Sequence, residues 1–288
     1  MPLVDEFTLT LIDALIRVIG AFVLAWAAML LIRSGQWRDP LNTADYNRNT
    51  VTLVEVCGSF LLFFLLSMLI LQVFPVSREE ASIPGTHDWH VAQSVDGLAK
   101  LFVSALMIYL LMRRPAFPAT TQSRNPFFVT RIAVLATFVI LPLAYLQLQT
   151  GQILWHWIDP YTQPPVHDVI EAIEQSAWGP WGILHLAVAA IIIAPLSEEL
   201  FFRGLLLEAI WGYFGRVWIA IVLTGLMFGA IHSSQPQDVI PLVTMGIILG
   251  FVRVRFRSLP ICILIHALFN ARTIAFVLCN PDLARQTG

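Results

Sequence analysis

Six polar side chains on three apolar runs have the types and spacing for hydrolytic chemistry. Ser197-Glu198-Glu199-Leu200-Phe201-Phe202-Arg203 puts two carboxylates and a guanidinium in one stretch. Phe228…His232 and His266…Asn270 follow at one-turn spacing on two later runs. Glu199 and Arg203 are four residues apart, so they share a helix face and can pair. Glu198 points about 100° round the helix and is not matched to that arginine, because each residue turns the helix by a little over a quarter revolution. An unmatched carboxylate suits proton abstraction from water. Glu198 with His232 can bind and polarise a water, while His266 and Asn270 can present N–H groups to a developing oxyanion, often the largest single term in acyl-transfer catalysis. The alternatives are a packing lock between helices, a non-catalytic membrane scaffold, and a proton-coupled carrier.

These groups sit where charge is costly. Hydrophobic residues make up 57% of the 288 and charged ones 12%, against about 25% charged in a soluble domain. The balance, with repeated apolar runs of about 20 residues, predicts an all-α polytopic membrane protein. An ionised side chain at mid-bilayer costs roughly 2.5–3.5 kcal/mol and so faces the protein interior or a wet cavity. Eight spans are expected: Leu9–Ile32, Val51–Phe74, Gly97–Met112, Phe127–Leu146, Pro180–Trp211, Val217–His232, Val239–Val254 and Leu259–Leu278. The third is short and the fifth long. The run after Asp5 and Glu6 lacks the basic start of a leader and continues past Ala25–Ala28, so it reads as a retained helix.

Basic residues give the topology. Arg33, Arg38 and Arg48 follow span one, Arg113, Arg114 and Arg124 span three, Arg216 span five, and Arg253, Arg255 and Arg257 span seven. The positive-inside rule then puts the odd-numbered loops in the cytoplasm and both termini outside. Residues 148–179 carry no Lys or Arg; after Pro164-Pro165, Val166, Val169, Ile170, Ile173 and Ala177 recur at helical spacing, as in a short helix lying on the membrane. Gly225…Gly229 and Gly246…Gly250 permit close helix approach. His87, Asp88 and His90 lie in a polar loop without a matching ligand set elsewhere, and Cys57, Cys262 and Cys279 are too dispersed for a disulfide framework or a metal site. A net charge of −2 with no basic stripe gives no reason to expect a nucleic-acid partner. Depth raises a conflict. At 1.5 Å per residue, Glu199 lies roughly 18 Å and His232 roughly 22 Å from the cytoplasmic ends of their spans, but His266 only about 9–11 Å.

Glu-Glu-x-x-x-Arg, Phe-x-x-x-His and His-x-x-x-Asn, in that order on successive apolar runs, resemble the CAAX-protease and bacteriocin-processing (CPBP, or Abi) family, which includes the Rce1-type prenyl-protein endopeptidases. The local text, Glu-Glu-Leu-Phe-Phe-Arg-Gly, Phe-Gly-Ala-Ile-His and His-Ala-Leu-Phe-Asn, fits too, and the resemblance covers about residues 180–280. It implies a four-helix catalytic core at 180–280; the N-terminal region 1–179, with four spans expected from hydropathy and an external loop, and the short tail 281–288 lie outside it. It further implies intramembrane endopeptidase activity on a membrane-associated protein or peptide within the lipid bilayer. Glu198 and His232 would activate water, Glu199 and Arg203 would orient the site, and His266 and Asn270 would form the oxyanion hole. No cofactor is expected; in a zinc variant Glu198, His232 and His266 would be the ligands, leaving a position for water. Bacterial relatives include proteins described as immunity proteins, so the scaffold alternative stands.

Overall fold

The computed structural model describes residues 51–113, 125–158, 161 and 168–279, with scattered helical positions between residues 15 and 33. The described residues form helices and turns without a strand. In chain order the helices are α1 (Leu53–Leu71), α2 (His87–Arg113), α3 (Pro126–Ile158), the short α4 (Asp168–Glu174), α5 (Pro180–Phe214), α6 (Val217–Ala230), α7 (Pro236–Phe256) and α8 (Leu259–Cys279). Helix α1 starts where Thr52 and Glu55 cap each other: the Glu55 N–H donates to Thr52 Oγ1 at 3.4 Å, and the Thr52 N–H donates to Glu55 Oε2 at 2.7 Å. Helix α5 stops at Gly215, whose φ of 67° is left-handed and whose N–H donates back to Trp211 O at 2.8 Å.

Five helices, α1, α2, α5, α7 and α8, are long and apolar enough to cross a membrane. The protein is a multi-pass integral membrane protein. An expected total of eight rests in addition on two shorter apolar segments, Pro126–Pro142 within α3 and α6, and on Leu9–Ile32, which apart from scattered positions lies outside the described residues. So do Arg38, Arg48, Arg114, Arg124, Val166 and the tail 281–288.

Several boundaries move for physical reasons. The third span is not short: α2 begins ten residues before Gly97 and runs for 27 residues. Its polar first turns are held by partners, since Asp88 Oδ2 accepts the Ser77 N–H at 2.7 Å and Thr86 Oγ1 accepts the Trp89 N–H at 3.2 Å. Helix α6 ends at Ala230, so His232 lies in the turn beyond it. Helix α4 docks on protein: Ala172 is fully buried with Trp89 of α2 and Leu186 of α5, and Ile173 also packs on Val277 of α8.

The core forms around α5 and α7. Leu205, Leu207, Ile221 and Phe228 are fully buried in one apolar cluster, and Met245, Leu249, Ile261 and Ile265 are nearly so in a second that takes in Ala133 and Ile140 of α3. Helix α3 therefore walls α7 and α8, α2 lies against α5, and packing runs across residue 180. Helices α6 and α7 touch at backbone distance: a Cβ on Gly246 would lie 2.7 Å from Gly225 Cα, closer than real carbon atoms approach.

Candidate active site

Helix α5 is not a uniform α-helix. Two π-helical stretches, Ala189–Ile193 and Leu200–Leu206, flank the α-helical turn Ala194–Glu199. The first has a local cause. Pro195 has no N–H, and in an α-helix its ring would press on the carbonyl four residues back. The backbone widens ahead of it, and the Ala194 N–H donates to Ala189 O, five residues back. Such bulges concentrate at functional sites.

Glu199 and Arg203 are both fully buried and pair at 2.9 Å, as their spacing predicts. Arg203 also donates through Nη2 to the carbonyl of Gly246 at 3.2 Å and lies 4.6 Å above the centre of the Phe228 ring. The close crossing of α6 and α7 brings that carbonyl and that ring to one guanidinium. Glu199 Oε1 takes a second cationic or neutral donor, His266 Nδ1, at 2.9 Å, across 67 residues of sequence. The far nitrogen of that ring, Nε2, stands 3.9 Å from Glu198 Oε2. Glu198 keeps 19% of its side-chain surface, whereas Glu199 keeps none. The two neighbouring carboxylates thus occupy different environments: one is locked in a buried ion pair, the other is partly exposed.

Phe228 joins the histidines. Its ring centre lies 5.2 Å from that of His232 and 5.7 Å from that of His266. The His232 Nδ1–H donates to Phe228 O at 2.8 Å, which leaves Nε2 with the lone pair in the neutral ring. Asn270 Nδ2 donates to the carbonyl of Ala190 at 2.7 Å. The structure therefore gathers Glu198, Glu199, Arg203 and His266 by direct contact, sets His232 beside them through Phe228, and attaches Asn270 one turn along α8 to the first π stretch of α5.

Arg253 corrects the sequence reading. Counted above as a loop charge, it is buried inside α7, donating to Glu208 Oε1 at 2.7 Å and to the carbonyl of Arg203 at 3.2 Å. This resolves the depth conflict. Arg253 lies four residues from the α7–α8 turn and meets α5 at Arg203 and Glu208, eleven and six residues before its end, so that turn falls about 3–10 Å short of the end of α5 at 1.5 Å per residue. That offset deepens His266, and its 2.9 Å contact sets it level with Glu199. Sequence reasoning missed Glu208 and Arg253, although a further carboxylate inside the fifth apolar run was a signal. It also missed Asp238, on the first turn of α7 within electrostatic reach of His232.

The His87, Asp88 and His90 trio belongs to the start of α2. His90 is fully buried, its Nε2 3.0 Å from Ser176 Oγ and its Nδ1 3.3 Å from His185 Nδ1, while His87 Nδ1 accepts the Trp178 indole N–H at 2.9 Å. These contacts tie α2 to the start of α5. Cys262 is buried with its Sγ 3.5 Å from Leu249 O, a small core residue as expected. Among the described residues no three His, Cys, Asp or Glu side chains gather as a metal-ligand set. Glu198, His232 and His266 do not form one in this arrangement.

Residues 180–272 match the family model described as type II CAAX prenyl endopeptidase Rce1-like. The chain thus carries a segment similar to the Rce1-like type II CAAX prenyl endopeptidases, over about a third of its length. An uncharacterized 24.3 kDa protein of Escherichia coli is 28% identical over 170 residues, which are 56% of this chain and 70% of that protein. The UPF0177 protein YbdI of Lactococcus lactis subsp. lactis (strain IL1403) is 27% identical over 89 residues, 31% of this chain and 47% of the relative. No solved structure matches the chain.

Proposed function

We propose that the protein is an intramembrane endopeptidase whose water is activated by Glu198 with His232 and whose oxyanion is stabilised by His266 and Asn270. The observation that carries this is the contrast between the adjacent carboxylates: Glu199 is sealed in a pair with Arg203, and Glu198 is partly exposed beside His266. Two neighbouring acids held in unlike environments are the arrangement that separates a reacting group from a supporting one. Glu198 takes a proton from water, the hydroxide adds to the scissile carbonyl, and the proton passes to the leaving amine as the tetrahedral intermediate collapses. His232 presents the Nε2 lone pair to the same water. His266, whose Nδ1 is held on Glu199, offers Nε2 to the oxyanion when the ring is doubly protonated. No step needs a metal.

The substrate is a membrane-associated protein or peptide, the class the family match supports. With Arg253 withdrawn, the remaining arginines still alternate in the sense that places both termini outside. An internally quenched peptide ending in a farnesylated Cys-aliphatic-aliphatic-X sequence, presented in proteoliposomes, is the first probe. Comparison of membrane peptides accumulating in a Glu198→Gln strain widens the search to non-prenylated clients. Purified Glu198→Gln and His232→Ala should lose cleavage by at least a hundredfold while the wild type is unaffected by chelator. Wild-type turnover in both variants would exclude catalysis at this site, and a wild type that cleaves neither class of substrate would leave the scaffold reading. Loss of wild-type activity in chelator, restored by zinc, would overturn the metal-free mechanism.

A further inference from the structure

Asn270 is held by a carbonyl that a helix normally keeps for itself. In the π stretch of α5 the Ala194 N–H donates to Ala189 O. One residue on, the equivalent donor to Ala190 O would be residue 195. That residue is Pro195, buried and without an N–H. The orphaned carbonyl of Ala190 accepts Asn270 Nδ2 from α8 at 2.7 Å. A primary amide carries two N–H groups on one nitrogen in one plane. Anchoring the first therefore fixes the direction of the second.

We propose that Pro195 is a positioning residue for Asn270: by withholding one helical N–H it frees the Ala190 carbonyl, which orients the amide so that its second N–H serves the oxyanion. The proposal rests on the reading of Asn270 as an oxyanion donor. It also explains the π turn beside the catalytic glutamates. With an N–H at position 195 the helix closes into α register, Ala194 N–H takes Ala190 O, and Asn270 must share a shifted and weakened anchor. Asn270 needs an acceptor of fixed position; a carbonyl inside a continuous helix can take a second donor, as Gly246 O does from Arg203, but one whose own helical donor is missing is the stronger anchor.

The test uses the full-length protein in detergent micelles and two readouts. On the farnesylated quenched peptide, Pro195→Ala lowers kcat at least tenfold with KM within twofold, whereas its thermal stability is unchanged or raised, because a helix-breaking residue has gone. A merely structural proline would lower both together. The second readout needs no substrate. Asn270→Ala strands the Ala190 carbonyl and shifts the unfolding equilibrium at least fivefold when Pro195 is present, but less than twofold in the Pro195→Ala background. Equal shifts in the two backgrounds overturn the proposal. Pro195→Ser restores the same N–H and replaces Pro195→Ala if the latter does not accumulate in the membrane. Full kcat in Asn270→Ala refutes the oxyanion reading instead, and the stability cycle still decides whether Pro195 sets the amide.

Discussion

Removing the Arg203 guanidinium while keeping its volume, as Arg203→Met, isolates the electrostatics of the buried centre. Arg203 is fully buried, and its guanidinium meets Glu199 Oε1 at 2.9 Å, Gly246 O at 3.2 Å, the Phe228 face at 4.6 Å and the Phe202 face at 5.7 Å. Methionine retains much of the packing but none of the charge. Glu199, also fully buried, is then left with His266 alone. Breaking one partner out of a buried ion pair costs about 3–5 kcal/mol, chiefly because the other charge stays desolvated, whereas replacing both is often near neutral. Arg203→Met and Glu199→Gln should each destabilise by about 3 kcal/mol or more, and the double variant by less than either. That coupling corresponds to roughly a hundredfold or more in the unfolding equilibrium, at about 1.4 kcal/mol per tenfold. Equilibrium unfolding in mixed detergent and SDS micelles, followed by tryptophan fluorescence, measures it. If the two single losses sum to that of the double within about 0.5 kcal/mol, the pair is not coupled and the site as drawn here is wrong. The double variant should regain stability without regaining cleavage.

Gly246→Ala tests whether the α6–α7 crossing aims Arg203. Its Cβ would sit 2.7 Å from Gly225 Cα, so the helices must part by about 1 Å to reach normal carbon contact. This should cost about 1–3 kcal/mol, carry the Gly246 carbonyl away from Arg203, and lower kcat at least tenfold; an unchanged Tm and kcat would show that the crossing is loose. Arg253→Met should cost about 3 kcal/mol by removing the cation paired with the buried Glu208 carboxylate, and Glu208→Gln in the same chain should return most of it. No recovery in the unfolding midpoint would separate the two residues energetically.

Much of the site was legible because it is local. The Glu199–Arg203 pair follows from a four-residue spacing that helix geometry fixes wherever the helix stands, and both residues keep their charge inside an apolar run only if they meet. The small residues at Gly225 and Gly246 announced a close crossing, and the apolar runs announced helices. Three readings failed or fell short for a common reason. Arg253 looked like a loop charge because spacing cannot show that the following turn stops short of the end of a neighbouring helix. The same offset made His266 look too shallow. Asp88 and His90 looked like loop residues because two of their partners, Ser77 and Ser176, come from segments that hydropathy leaves blank, and the third, His185, stands in the fifth apolar run far along the chain.

The sequence by itself determined that this is a helical, multi-pass membrane protein with acidic, basic and imidazole groups at one-turn spacings, because composition and periodicity are properties of each segment alone. Only the tertiary structure decided that Glu199 meets His266, that Arg203 reaches the Gly246 carbonyl, and that Asn270 answers the carbonyl Pro195 leaves unpaired. Those contacts depend on how deep each turn sits and which backbone groups remain unsatisfied once the helices have packed, and no spacing along the chain encodes either.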